Sequence, residues 1–88
     1  MANKQSALKR WRQSIKRRTR GRVRRTEART AVRAVREAAT AGDGDQYDEA
    51  LSRAYSVLDR AARKGAIATG KADRDKRRLA ALRASIDA

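Results

Sequence analysis

Residues 45–65 read DQYDEALSRAYSVLDRAARKG, and this stretch decides the fold. Tyr47, Leu51, Ala54, Leu58 and Ala61 recur at intervals of four, three, four and three, which places them in one stripe on an amphipathic α-helix. Asp45 is the predicted N-cap, and Asp48 and Glu49 fall in the first turn, where the helix dipole favours acids. Arg63 and Lys64 sit at the opposite end, and Gly65 is suited to the left-handed turn that closes a helix. A helix over 46–63 is therefore predicted.

Working outward from it, the run Ala41 to Asp45, AGDGD, is a turn that ends a first helix of about 6–40. The later half of that helix offers Ala28, Val32, Val35 and Ala39 at intervals of four, three and four. On the other side, Thr69 is the predicted cap of a third helix over about 70–86, with Leu79, Leu82 and Ile86 as its apolar stripe. No proline interrupts any of these segments. Three amphipathic helices with short connections close into an all-α, antiparallel three-helix bundle, and 88 residues make one domain. Much of the apolar content is alanine, so the core is thin.

The first half of helix one does not share the bundle stripe. Leu8, Trp11 and Ile15 are also spaced by three and four, but Ile15 to Ala28 is thirteen residues, which turns the two stripes roughly 140° apart on a straight helix. The bundle is thus expected to use the later half, with the first half projecting. The projecting part contains KRWRQSIKRRTRGRVRR, residues 9–25, with ten cations and no acid in seventeen residues. Lys9, Arg12, Lys16 and Arg20 stack like charges along the helix, and Gly21 costs about 1 kcal/mol relative to alanine, which points to local bending or fraying. Such a segment is expected to be ordered by a polyanionic partner.

The charge is segregated along the chain. Of 24 basic and 10 acidic residues, which leave a net charge of +14, residues 1–36 hold fourteen basic and one acidic. Residues 37–62 hold two basic and six acidic, and residues 63–88 eight basic and three acidic. The acidic second helix is expected to face solvent or protein, away from phosphate. Arginine outnumbers lysine eighteen to six. Its planar fork grips phosphate and stacks on bases, so a structured RNA is favoured over diffuse attraction. Trp11 is the one residue of the arm with a large ring for base stacking.

Composition also excludes chemistry. There is no cysteine for a disulfide or thiolate metal site, and no histidine to serve as general base or metal ligand, so no catalytic residue, metal or cofactor is expected. No apolar run approaches a membrane span, and a cytoplasmic protein is expected. Residues 65–71, GAIATGK, match the start of a phosphate-binding loop, but Ala72 replaces the required Ser or Thr and a helix rather than a strand precedes it. Asp43, Asp45, Asp48 and Glu49 lack the ligand alternation of a calcium loop and read as a turn plus an acidic first turn.

An ordered set of short matches runs along the chain: Met1-Ala2-Asn3, Ser6-Ala7, Lys9-Arg10, Gln13-Ser14, Lys16, Arg18, Arg24-Arg25, Arg29-Thr30 and Val35. It continues through Ala41-Gly42-Asp43, Leu58-Asp59-Arg60, Ala62, Lys64-Gly65, Ile67, Lys71-Ala72, Arg74, Lys76 and Arg78-Leu79. Together these resemble the bacterial small-subunit ribosomal protein S20 family. The resemblance implies a three-helix bundle with a long first helix, bound directly to small-subunit ribosomal RNA. The chain departs from the family pattern at Ala68-Thr69-Gly70, where His-Lys-Asn is usual, at Gly21, where Asn is common, and at Asp73 and Asp75. Contacts made by those side chains in relatives are not carried over.

The expected RNA-binding residues are Lys4, Lys9, Arg10, Arg12, Lys16, Arg17, Arg18, Arg20, Arg22, Arg24, Arg25 and Arg29 on the long helix. A second basic face comprises Lys64, Lys71, Arg74, Lys76, Arg77 and Arg78. The expected partner is small-subunit ribosomal RNA, with few or no protein contacts, no membrane and no small-molecule substrate. A histone-like DNA-compacting protein is the alternative that shares the charge. A membrane-surface helix needs a broader apolar face than Leu8, Trp11 and Ile15 supply.

Overall fold

A computed structural model describes residues 2–87. Helix α1 spans Ala2–Ala41, α2 Gly44–Arg63, α3 Thr69–Ala81, and a short α4 Arg83–Asp87. Among the described residues there is no strand. The fold is all-α, with α1, α2 and α3 packed together.

Two glycines set the turns. Gly42 has φ 75° and Gly65 φ 76°, values that favour glycine because it lacks a Cβ. After α1, Gly42 donates to the Ala39 carbonyl at 3.2 Å and Asp43 to the Ala38 carbonyl at 3.4 Å. After α2, Gly65 donates to Ala62 at 3.0 Å and Ala66 to Ala61 at 2.9 Å. Both are Schellman closures that satisfy carbonyls left over at a helix end. Gly65 thus plays the role expected of it.

The N-caps differ from expectation. Asp43, not Asp45, caps α2: its Oδ1 accepts from the Gln46 amide at 3.0 Å. Asp45 lies inside the first turn. The Gly42 closure turns the chain immediately, so the helix begins two residues earlier. Thr69 does not cap α3 either; Ala68 holds that position without a side-chain bond, and Thr69 is the first helical residue.

The third helix is not continuous to residue 86. It stops at Leu82, and α4 resumes at Arg83. The cause is Tyr47 of α2, which is fully buried. Its hydroxyl donates to the Leu79 carbonyl and lies 3.3 Å from that of Ala80. In a continuous helix the Leu79 carbonyl would accept from the Arg83 amide; here it accepts from the phenol and from the Leu82 amide at 3.2 Å.

The core centres on Tyr47, Leu58, Leu79 and Val35, the largest fully buried side chains, with Ala28, Ala31, Ala38, Ala54, Ala61 and Ala72 around them. On α1 the deepest line is Ala28, Ala31, Val35 and Ala38; Val32 and Ala39 are only partly buried. The stripe is therefore rotated from the expected one by about one residue. Val32 lies to the side of this line, in the groove shared with Ile67 of the α2–α3 connection.

Cross-helix pairs show the direction of each helix. Ala38 and Ala41 near the end of α1 lie by Gln46 and Ala50 at the start of α2, while Leu58 near the end of α2 reaches back to Ala28. Tyr47 near the start of α2 meets Leu79 late in α3, so α3 reverses again. The bundle is antiparallel. The chain measures 68 × 21 × 14 Å with a radius of gyration of 17.8 Å, whereas a compact chain of this length has about 12 Å. The excess is the first half of α1, which runs on past the bundle, unbroken at Gly21, with Leu8, Trp11, Ile15 and Val23 exposed.

Candidate nucleic-acid interface

Lys4, Lys9, Arg10, Arg12, Lys16, Arg17, Arg18, Arg20 and Arg22 are all exposed on the arm, and Arg24, where α1 enters the bundle, is half-buried. Among the described residues, no cation of α1 is paired with a carboxylate; the ion pairs involve Lys76 and Arg83 instead. At 100° per residue the arm's cations point around the whole helix. The charge is uncompensated and faces several directions.

The structure joins part of α1 to α3. Arg25 and Arg29, both expected, converge with Lys71, also expected, on a groove of about 630 Å³. Its floor is Ala28, Val32, Leu58 and Ile67, and Asp75 stands on its α3 side. Two further arginines line it, Arg33 and Arg36, beyond the cations expected there. The signal for them was present: Arg25, Arg29, Arg33 and Arg36 follow helical spacing beside the apolar stripe.

The rest of the second basic face divides. Lys64, Arg74, Arg77 and Arg78 are exposed, and none lines this groove. Lys76 is half-buried. Its Nζ lies 2.8 Å from Asp59 Oδ1 and 3.7 Å from Asp73 Oδ1, over the Tyr55 ring at 5.8 Å. The hydrogen bond with Asp59 is the main cause that raises its pKa above the usual lysine value. Lys76 is thus engaged in joining α3 to α2. Arg83 does the same from α4, pairing with Asp48 and lying 5.8 Å from the Tyr47 ring. The acids of α2 were expected to face solvent or protein away from phosphate; Asp48 and Asp59 are exposed but also serve as struts within the fold.

The Gly65-to-Lys71 run has no phosphate-loop geometry. Gly65 closes α2, Gly70 lies in the first turn of α3, and no strand precedes them. Among the described residues no group of three acids is placed to hold a metal ion. None of their helices is long and apolar enough to cross a membrane.

A small helical bundle with a long, uncompensated cationic helix has the form of a polyanion-binding protein. Comparison with known proteins gives the kind. The profile of the family described as Ribosomal protein S20 matches residues 2–83. The chain is 49% identical over 88 residues to the small ribosomal subunit protein bS20 of Desulfovibrio desulfuricans, covering 100% of this chain and 99% of that one. It is 45% identical over 87 residues to bS20 of Nitratidesulfovibrio vulgaris, covering 99% and 100%. With bS20 of Exiguobacterium sibiricum it shares 44% identity over 82 residues, covering 93% and 95%. The chain belongs to the ribosomal protein S20 family.

Proposed function

We propose that the chain is a structural component of the bacterial small ribosomal subunit that binds small-subunit ribosomal RNA directly and stabilises its fold during assembly. It works on the ribosome, in the cytoplasm, and without catalysis. The observation that carries this is the long α1, whose cations pair with no carboxylate among the described residues, in a member of a small-subunit protein family. A helix charged on all sides suits a position between RNA segments, whose phosphates would otherwise repel one another.

Arm and groove divide the work. The arm, from Lys4 to Arg22, neutralises phosphates along its length. The groove cations Arg25, Arg29, Arg33, Arg36 and Lys71 hold a second segment against the bundle, and Lys64, Arg74, Arg77 and Arg78 extend the contact over the surface. Because the exposed faces of the arm and of α3 are mainly cationic, contacts with RNA dominate and protein contacts are few. Nothing in the fold favours a DNA-compacting role.

Footprinting of the purified protein on naked small-subunit rRNA, with duplex DNA as competitor, tests this. Discrete protected segments that survive excess DNA are expected. Uniform weak protection that DNA abolishes would overturn the reading.

A further inference from the structure

We propose that Leu8, Trp11 and Ile15 form a nucleobase-stacking platform on the arm, which takes one unpaired base of the RNA; this rests on the RNA-binding reading above. Trp11 is 60% exposed, Leu8 47% and Ile15 39%, and among the described residues no part of the bundle covers them. The three share one helix face, because steps of three and four residues return to the same side. That face points away from the core line that begins at Ala28.

Single exposed apolar residues need no explanation. Here three lie in line, and the residues between them, Lys9, Arg10, Arg12, Gln13 and Ser14, are all cationic or polar. They contribute nothing to the bundle. Each withdraws apolar area from water only if a ligand covers it.

The flanking charge selects the ligand. Lys4 and Arg18 each lie seven residues from Trp11, close to two turns, so the platform has a cation on its own face at either end. Arg10 and Arg12 border it on the two sides. A second copy of the chain would bring two such arms together and stack like charges. A nucleic acid strand satisfies both parts: its phosphates meet the cations, and the flat face of an unstacked base covers the indole. Paired bases hide their faces in the helix stack, so an unpaired one is required. Leu8 and Ile15 widen the contact under the base and sugar.

Trp11 is the only tryptophan, so its fluorescence reports this contact directly. Wild type, Trp11→Ala, Trp11→Phe and Trp11→Leu would be titrated with small-subunit rRNA and, separately, with phosphatidylglycerol vesicles. Because Trp11 is exposed, all four fold alike, as circular dichroism checks. On RNA the expected result is quenching that saturates with binding, and protection of the indole from acrylamide. W11A should bind about 5- to 150-fold more weakly, the range set by the loss of one base–aromatic stack. W11F should recover most of the loss and W11L should not, because only the ring stacks. Tight RNA binding with unchanged fluorescence and full affinity in W11A overturns the platform while leaving the RNA-binding reading intact. Failure of every variant, wild type included, to bind rRNA overturns both. A stable complex with vesicles that W11A abolishes, with RNA affinity unaffected, assigns the face to a lipid surface and also overturns the proposal.

Discussion

The Tyr47 hydroxyl donates to the Leu79 carbonyl from the start of one helix to the end of another, 32 residues along the chain. It takes the place of the next helical amide and so ends α3 where the apolar pattern would continue it. Tyr47→Phe keeps the ring in the core but leaves the Leu79 carbonyl with only the Leu82 amide at 3.2 Å. The expected loss is about 0.5–1.5 kcal/mol. In a bundle this small that lowers the melting midpoint by several degrees in a circular dichroism melt.

The same tyrosine makes the fold sensitive to alkali. Burial is the main cause that raises the Tyr47 pKa above the usual 10.0, and the bond with Asp59 raises that of Lys76 above 10.5. The folded chain holds both protons to higher pH than the unfolded one. These contributions are complete below about pH 10 and are lost as pH rises through the raised values. The melting midpoint should stay level from about pH 7 to 9 and drop above about pH 10. Y47F should drop less steeply; an identical drop would assign the effect to Lys76 alone.

Leu58 is 1% exposed and underlies the α1–α3 groove. Leu58→Ala should cost on the order of 2–4 kcal/mol, from lost burial and the cavity left behind. With so few large residues in the core, that is a major part of the total stability. Melts of both proteins, free and bound to RNA, check it. An unchanged midpoint would mean that the α2 stripe is not the core face.

If phosphate contacts dominate, log affinity for rRNA falls linearly with log salt, by about 0.7–0.9 for each phosphate neutralised. Arg33→Ala and Arg36→Ala should each weaken binding and reduce the slope by about one. Lys76→Ala should leave the slope nearly unchanged, because its ammonium already serves Asp59 and Asp73. Equal slopes for all three variants and wild type would remove the groove from the interface.

The arm is helical yet has no tertiary support, and its cations face one another without acids between them. A polar helix of this kind is marginal in water. In the free protein, residues 2–24 should exchange amide hydrogens fast while those of the bundle, 32–81, are protected. Cognate rRNA should protect the arm as phosphates remove the repulsion and helix propagates from the bundled end. Hydrogen exchange with mass spectrometry, with and without RNA, reads this. Strong protection of the free arm at low salt would show a rigid preformed probe instead.

Sequence by itself determined the helices and the cationic inventory, because both are local properties. Stripes at three and four residues, the turn at Ala41 to Asp45, the closing Gly65, and the rotation of the Trp11 stripe away from the Ala28 stripe are written within a few residues of one another. They settle three helices and a projecting arm. The N-cap is also local, but Asp43 and Asp45 fit the same pattern, and only the geometry of the Gly42 closure chose between them. Tertiary structure decided what depends on residues far apart. Ala31 and Ala38 pack more deeply than Val32 and Ala39, a rotation of the stripe fixed by how α2 and α3 dock, and alanine carries too little amphipathic signal to reveal it beforehand. Tyr47 breaks α3 by a bond that no local pattern encodes. Arg33 and Arg36 become groove residues only once Lys71 is brought beside them, and Lys76 leaves the free cations only because α3 lays it against Asp59. Spacing along the chain gives the face of a helix; the partner of that face is set by how the helices dock.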